Sequence, residues 1–327
     1  GLGVGTYGCA VNVSGSGRVK FTGSTANSGV SDFTVQEGIL ELAKSSTIAI
    51  SADIDIEDGG TLLLAAPGQI DDTTDVEVEL GGSFDLASLP EEVGSLHGAG
   101  TVALAGAGLT LGGNNGSGEI SGIISGPGGG IEKKGSGTLT LSAENTFGGD
   151  SGQIVISGGT LQVDDDDNLG ADPSATDADY ISLSNWSVLR ATGGFSLNSK
   201  KGIELTGNGK IYVDSGEELK YNGDITGGNE FAKDGPGTLE LQTSADVTAS
   251  AIYIDAGRLW CRNTQPFDGT ASTVYLGATG GSEPAYFKFG RNGANLNLSE
   301  SVTVRSGSSG GKWLENGAGS GNDAEFQ

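Results

Sequence analysis

Carboxylates are the groups in this sequence most able to do chemistry: Asp and Glu number 42 against 17 Lys and Arg, a formal net charge of −25. Two clusters stand out. Asp164, Asp165, Asp166 and Asp167 are consecutive, and four carboxylates offer the oxygen ligands that a hard cation such as Ca2+ takes. The run lacks the Asp-x-Asp-x-Asp-Gly loop and the glycine-aspartate nonapeptide of Ca2+-binding repeats, and charge runs are usually solvated turns. No other cofactor is implied. Asp53, Asp55, Glu57 and Asp58 form the second cluster. Their alternation with Ile54 and Ile56 turns the isoleucines to one face and three carboxylates to the other. Paired carboxylates serve glycoside hydrolysis, yet so many acids bring some pairs together by chance. No catalytic residue can be singled out.

The remaining candidates are single residues. His97, the sole histidine, stands between Leu96 and Gly98 at a turn, with no serine nucleophile motif around it. Trp260 alternates outward between Leu259 and Cys261, where it either stacks on a sugar ring or packs against a neighbouring loop. Cys9 shares parity with Val11 and Val13, and Cys261 with Leu259, so both face inward as small hydrophobes. A bond between the two within one chain would need their Cα atoms within about 7 Å, which their separation along the chain excludes. An inter-subunit contact through Cys9 and Cys261 is the alternative.

The elements that must position these residues are short strands with one beat. Gly137-Thr138-Leu139-Thr140-Leu141 and Gly159-Thr160-Leu161-Gln162-Val163 alternate strictly, which is the period of a strand with one buried face. They begin 22 residues apart, and the glycines opening earlier strands (Gly17, Gly38, Gly60, Gly82, Gly100) are spaced 21, 22, 22 and 18. The phrase GSGTLTL at 135–141 returns as GPGTLEL at 235–241, with Lys133 matched by Lys233. A near-constant period of this size means a repeat architecture. Short strands without a helical segment make it an all-β solenoid, a single-stranded, right-handed parallel β-helix. At about 20 residues and about 4.8 Å per coil, the chain would form around 15 coils over some 70 Å. The expected organisation is one continuous β-helix over residues 1–327. A loop departs from it near 164–180, and neither end shows an evident cap.

The stretch GIEKKGSGTLTLSAENTFGGDSGQIVISGGTLQV (130–163) resembles the passenger-associated transport repeat, also called the autotransporter-associated β-strand repeat. The shared pattern is a Gly-x-Gly-Thr-Leu-x-Leu strand, an Asn-Thr-aromatic-Gly turn at Asn145–Gly148, and a Gly-Gly-Thr-Leu-x-Val strand. The second copy departs from it, since Thr243–Val247 reads TSADV. The resemblance spans most of the chain, most closely residues 59–163 and 189–260. It implies export to the bacterial cell surface and an adhesin or stalk role, with a host or environmental surface ligand as partner.

Composition agrees with a rod outside the cell and excludes other classes. Sixty of 327 residues are glycine, more than double the usual ~7%, as a fold with several corners per coil requires. The negative charge disfavours nucleic acid and anionic membranes, and no apolar run reaches the ~18 residues of a membrane-inserted helix. The sequence starts without Met or signal peptide, which reads as a mature or excised piece. Open ends would let the chain pair with itself head to tail as a fibre subunit. Two functions follow: a secreted, non-catalytic structural rod, or a β-helix that binds or degrades polysaccharide.

Overall fold

The computed structural model describes residues 9–27, 30–262, 267, 273–290, 301–307, 309–316 and 324–326. Among these residues there are 34 short strands and one helix, a four-residue 3-10 turn at Asp166–Leu169. They form a parallel β-solenoid of about 12 turns, with almost no helix. The chain divides into two compact units. The first is Gly1–Ile154 with Asp167–Ala171, the second Val155–Asp166 with Asp172–Gln327.

The first unit has three faces of stacked strands. On one face the inward residues run Phe33, Ile54, Val76 and Leu96 in register from coil to coil. On the next they run Leu40, Leu62, Phe84, Val102 and Ile124, with the exposed Val19 in register before Leu40. The third pairs Glu91 with Leu109 and Leu109 with Ile131. Steps along the second ladder are 21, 22, 22 and 18 residues up to Val102, the spacing of the glycines that open those strands. Gly60 shows why glycine opens them. A Cβ there would lie 2.0 Å from the Val35 carbonyl oxygen, because the chain passes directly against the coil before it. Gly137 is the same case, with 1.9 Å to the Gly116 oxygen.

The second unit repeats the plan. Leu219, Leu239, Leu259, Phe287 and Leu314 form one inward ladder, and Ile181, Ile203, Ile225 and Val247 another. The third face stacks Thr160–Val163, Ser187–Ala191, Gly209–Val213, Glu230–Asp234, Ala251–Ile254, Thr273–Leu276 and Val302–Val304, all parallel. Each fully buried aliphatic side chain contributes about 1.5–3 kcal/mol, and each touches its like in the neighbouring coils.

The structure changes three expectations. Coils are fewer than 15 because some are long: Leu161 to Leu189, Leu259 to Phe287 and Val274 to Val302 are each 28 residues. The 164–180 stretch is only partly a loop. Asn168 and Leu169 are buried, and a strand already begins at Asp177. Asn168 earns its place by polar pairing, since its Nδ2 donates to the Ala143 carbonyl and its own carbonyl accepts from Asn145 Nδ2. Finally, the stacking is not parallel throughout: Ala324–Phe326 runs antiparallel to Lys312–Asn316.

The ladders fix where the stability lies. Leu239→Ala, in the middle of one, is expected to lower the unfolding free energy by about 2–5 kcal/mol. Thr138→Ala, on an outward face, is expected to change it by no more than about 0.5 kcal/mol. Urea unfolding followed by circular dichroism measures both.

Candidate functional site

The residues singled out from sequence are dispersed. Asp164, Asp165 and Asp167 are exposed, whereas Asp166 turns to the fully buried Lys201. Its Oδ2 lies 3.1 Å from Lys201 Nζ, and its Oδ1 accepts from the Asn198 amide. Asp172 supplies a second carboxylate to the same ammonium. Among the described residues no group of three or more His, Cys, Asp or Glu converges on a metal position. Asp53 and Asp55 do face outward with Ile54 and Ile56 inside. In register they meet more acid: Asp53 pairs with Asp32, and Asp55 with Glu77. Partial burial, then the charges of Glu77, Asp32 and Asp53, hold the Asp55 carboxyl above its usual range. His97 lies beside the other side of this column, with Nε2 3.5 Å from Glu77.

Trp260 faces outward on its strand, but both cations around it sit on its ring: Lys288 Nζ lies 4.1 Å from the centroid and the Arg262 guanidinium 5.1 Å. Its indole N–H donates to the Gly290 carbonyl. The packed arrangement leaves little of that ring for a sugar. Cys261 is completely buried between Leu241 and Phe289 of the neighbouring strands. Its thiol packs in the core as a small hydrophobe. The side chain of Cys9 lies outside the described residues.

Lys133 matches Lys233 in the repeat, and burial gives both a role. Lys233 is fully buried, and its ammonium donates to the carbonyls of Asp234, Gly235 and Ala256. Lys133 likewise donates to Lys134 and Gly135. An ammonium has three donors, and here they gather carbonyls that the tight Gly corner turns inward. Burial pushes the Lys233 ammonium down to about 7, against the opposing pull of Asp234 and Asp255. The first unit has a second polar column. Gln69 exchanges hydrogen bonds with the Lys44 backbone, and the Glu91 carboxylate accepts the amides of Gln69 and Ile70. Burial pushes the Glu91 carboxyl up to about 7, only partly countered by those amides.

The most site-like feature lies on the outward side of the third face of the second unit. There a cavity of about 370 Å3 is lined by Trp186, Val188, Lys210, Tyr253, Asp255 and Arg305. Its origin is a column of registered positions: Val188, Lys210, Ala232, Tyr253 and Tyr275. Ala232, between Lys210 and Tyr253 in this column, is itself buried beneath its neighbours. Tyr253 and Tyr275 stack at 5.0 Å, and the edge of Trp186 meets Tyr253 at 6.0 Å between centroids. Arg305 lies over Tyr253 and donates to Asp255 at 2.8 Å; Lys210 is 2.7 Å from Asp234 and 3.9 Å from Asp255. Burial raises the Asp255 carboxyl, with Lys210 pulling it down and Asp234 pushing it up. The Tyr253 hydroxyl donates to Glu230.

Trp186 reaches this position at a cost. It occupies a tight turn with Asn185, both left-handed at φ 57° and 53°, closed by the Ser187 amide donating to the Ser184 carbonyl. Asn and Gly suit such a turn. A tryptophan in this conformation costs about 1–2 kcal/mol, and it remains 42% exposed.

With this geometry in place, comparison with known proteins is informative. Residues 131–163 match the passenger-associated transport repeat family. The adhesin BmaC autotransporter of Brucella suis biovar 1 (strain 1330) is 31% identical over 224 residues, 66% of this chain and 6% of that protein. The probable autotransporter YfaL of Escherichia coli (strain K12) is 27% identical over 282 residues, 76% of this chain and 22% of that protein. The chain thus spans a small part of the length of either relative. No solved structure matches it. Residues 131–163 thus carry the passenger-associated transport repeat that the motif at 130–163 resembles.

Glu91 and Lys233, two of the buried ionisable groups, predict opposite pH slopes. Glu91 is raised from 4.5 to about 7 on folding, so its contribution is present below about 4.5 and lost as the pH rises through about 7. Lys233 is lowered from 10.5 to about 7, so its contribution is present above about 10.5 and lost as the pH falls through about 7. Urea midpoints measured from pH 4.5 to 10 are expected to lose the acid-side slope in Glu91→Gln and the alkaline-side slope in Lys233→Met.

Proposed function

We propose that this chain is a stretch of an exported autotransporter passenger, acting outside the bacterial cell as a non-catalytic, adhesin-like rod. The observation that carries the reading is the match of the 131–163 repeat to a passenger repeat family, within coils whose register follows the same period. One relative is named an adhesin and both are named autotransporters, which supports surface location and binding in place of catalysis. The physics fits the place. Solenoid coils contact only their neighbours, so such a chain can fold coil by coil after export. An acidic surface of net charge −25 keeps an extracellular rod soluble.

Fibre formation by end-to-end stacking is a narrower version of this proposal. It needs strand edges free to pair, and Ala324–Phe326 already occupies one edge of Lys312–Asn316. That favours a stalk segment. A carbohydrate-directed role draws support from one feature, the cavity at Trp186.

Placing the chain between a signal peptide and a β-barrel translocator in a Gram-negative host tests the reading. The expected result is a folded, antibody-accessible segment on intact cells that resists limited proteolysis. Periplasmic retention or rapid degradation of the segment would contradict it. Negative-stain microscopy of the purified chain is expected to show discrete particles, and filaments would move the proposal to the fibre.

A further inference from the structure

We propose that the cavity beside Trp186 binds a neutral pyranose unit of a saccharide. A pyranose ring has an apolar C–H face and a rim of hydroxyls, so its site pairs an aromatic surface with close polar groups. Both are here. Trp186 presents an exposed indole at the wall, buttressed by Tyr253. Asp255, Lys210 and Arg305 line the same space and offer acceptors and donors to hydroxyls. A volume of about 370 Å3 falls at the small end of ligand sites, which run from about 300 to 1,000 Å3, and suits one or two sugar rings.

Charge selects among saccharides. Arg305 is held by Asp255, and Lys210 by Asp234 with Asp255 nearby. These pairs compensate one another, so the cavity presents hydrogen-bonding capacity without an uncompensated cation for a carboxylate or sulfate. The chain as a whole, at −25, repels polyanions. Neutral sugar is the class left.

The backbone adds a separate indication. A turn formed by Ser184 to Ser187, with two positive φ values, is a place for Asn or Gly, yet it holds Trp186. Strain of this kind persists where the side chain has a use. Glycine at this position would relax the backbone and remove the wall of the cavity, which separates a binding role from a structural one.

Saturation-transfer NMR on the full 327-residue chain, with methyl β-galactoside, N-acetylglucosamine and cellobiose as neutral probes and glucuronate as the acidic one, tests the proposal. At least one neutral probe is expected to bind. Trp186→Gly is expected to weaken that binding by about tenfold or more, while the melting temperature holds or rises. Trp260→Phe, whose ring is already covered by Lys288 and Arg262, is expected to leave binding unchanged. Arg305→Ala serves as the second variant if Trp186→Gly does not fold, and it too is expected to weaken binding. Failure of all three neutral probes, preference for glucuronate, or undiminished binding in the folded variant would overturn the proposal.

Discussion

The structure depends on one constraint, that each coil must present to the next the same kind of residue at the same angular position. In a parallel stack, the inward side chain of one strand lies on the inward side chain of its neighbours. A slip of one residue would turn a whole ladder outward. The ladder Leu40, Leu62, Phe84, Val102 and the ladder Leu219, Leu239, Leu259, Phe287 obey this over many turns. Glycine is the second half of the constraint. At Gly60 and Gly137 the chain turns so tightly against the preceding coil that no Cβ fits, which explains why the glycine spacing and the strand register are the same series of numbers.

The corners pose the harder problem, because a tight turn directs backbone carbonyls and amides into the interior where water cannot reach them. Buried polar side chains meet this need. Lys233 gathers three carbonyls, Asn145 bridges the Ile124 amide and the Asn168 carbonyl, and Glu91 accepts the amides of Gln69 and Ile70. The same device that closes a corner therefore shifts the ionisation of Glu91 and Lys233. These perturbed groups are parts of the scaffold, and the cavity on the outward surface is a separate matter. Its walls are side chains that the ladder positions but does not need.

Much of the fold was legible because period-2 alternation leaves little freedom. Leu139, Leu141, Leu161 and Val163 are all buried, as their parity requires. The buried Asn168 and Lys233 were not legible, since polar residues that complete a corner carry no apolar period. Trp186 is not legible either, because it lies in a turn, outside any alternating run. Nor does the sequence read linearly show the cavity, because Val188, Lys210 and Tyr253 fall in one column only through the register of successive coils. Trp260 drew notice for its outward parity, but parity says nothing of Lys288, which arrives from the adjoining strand to cover it.

Register is thus the central claim, and engineered disulfides test it most directly. In a chain with Cys9 and Cys261 replaced by alanine, Thr61→Cys with Ser83→Cys joins two outward positions that face each other across adjacent coils. Thr61→Cys with Asp85→Cys is offset by two residues. Oxidation is expected to close the first pair within one chain far faster than the second, given the narrow Cα separation a disulfide accepts. Equal rates, or preference for the offset pair, would contradict the stacked register from which the ladders, the corners and the cavity all follow.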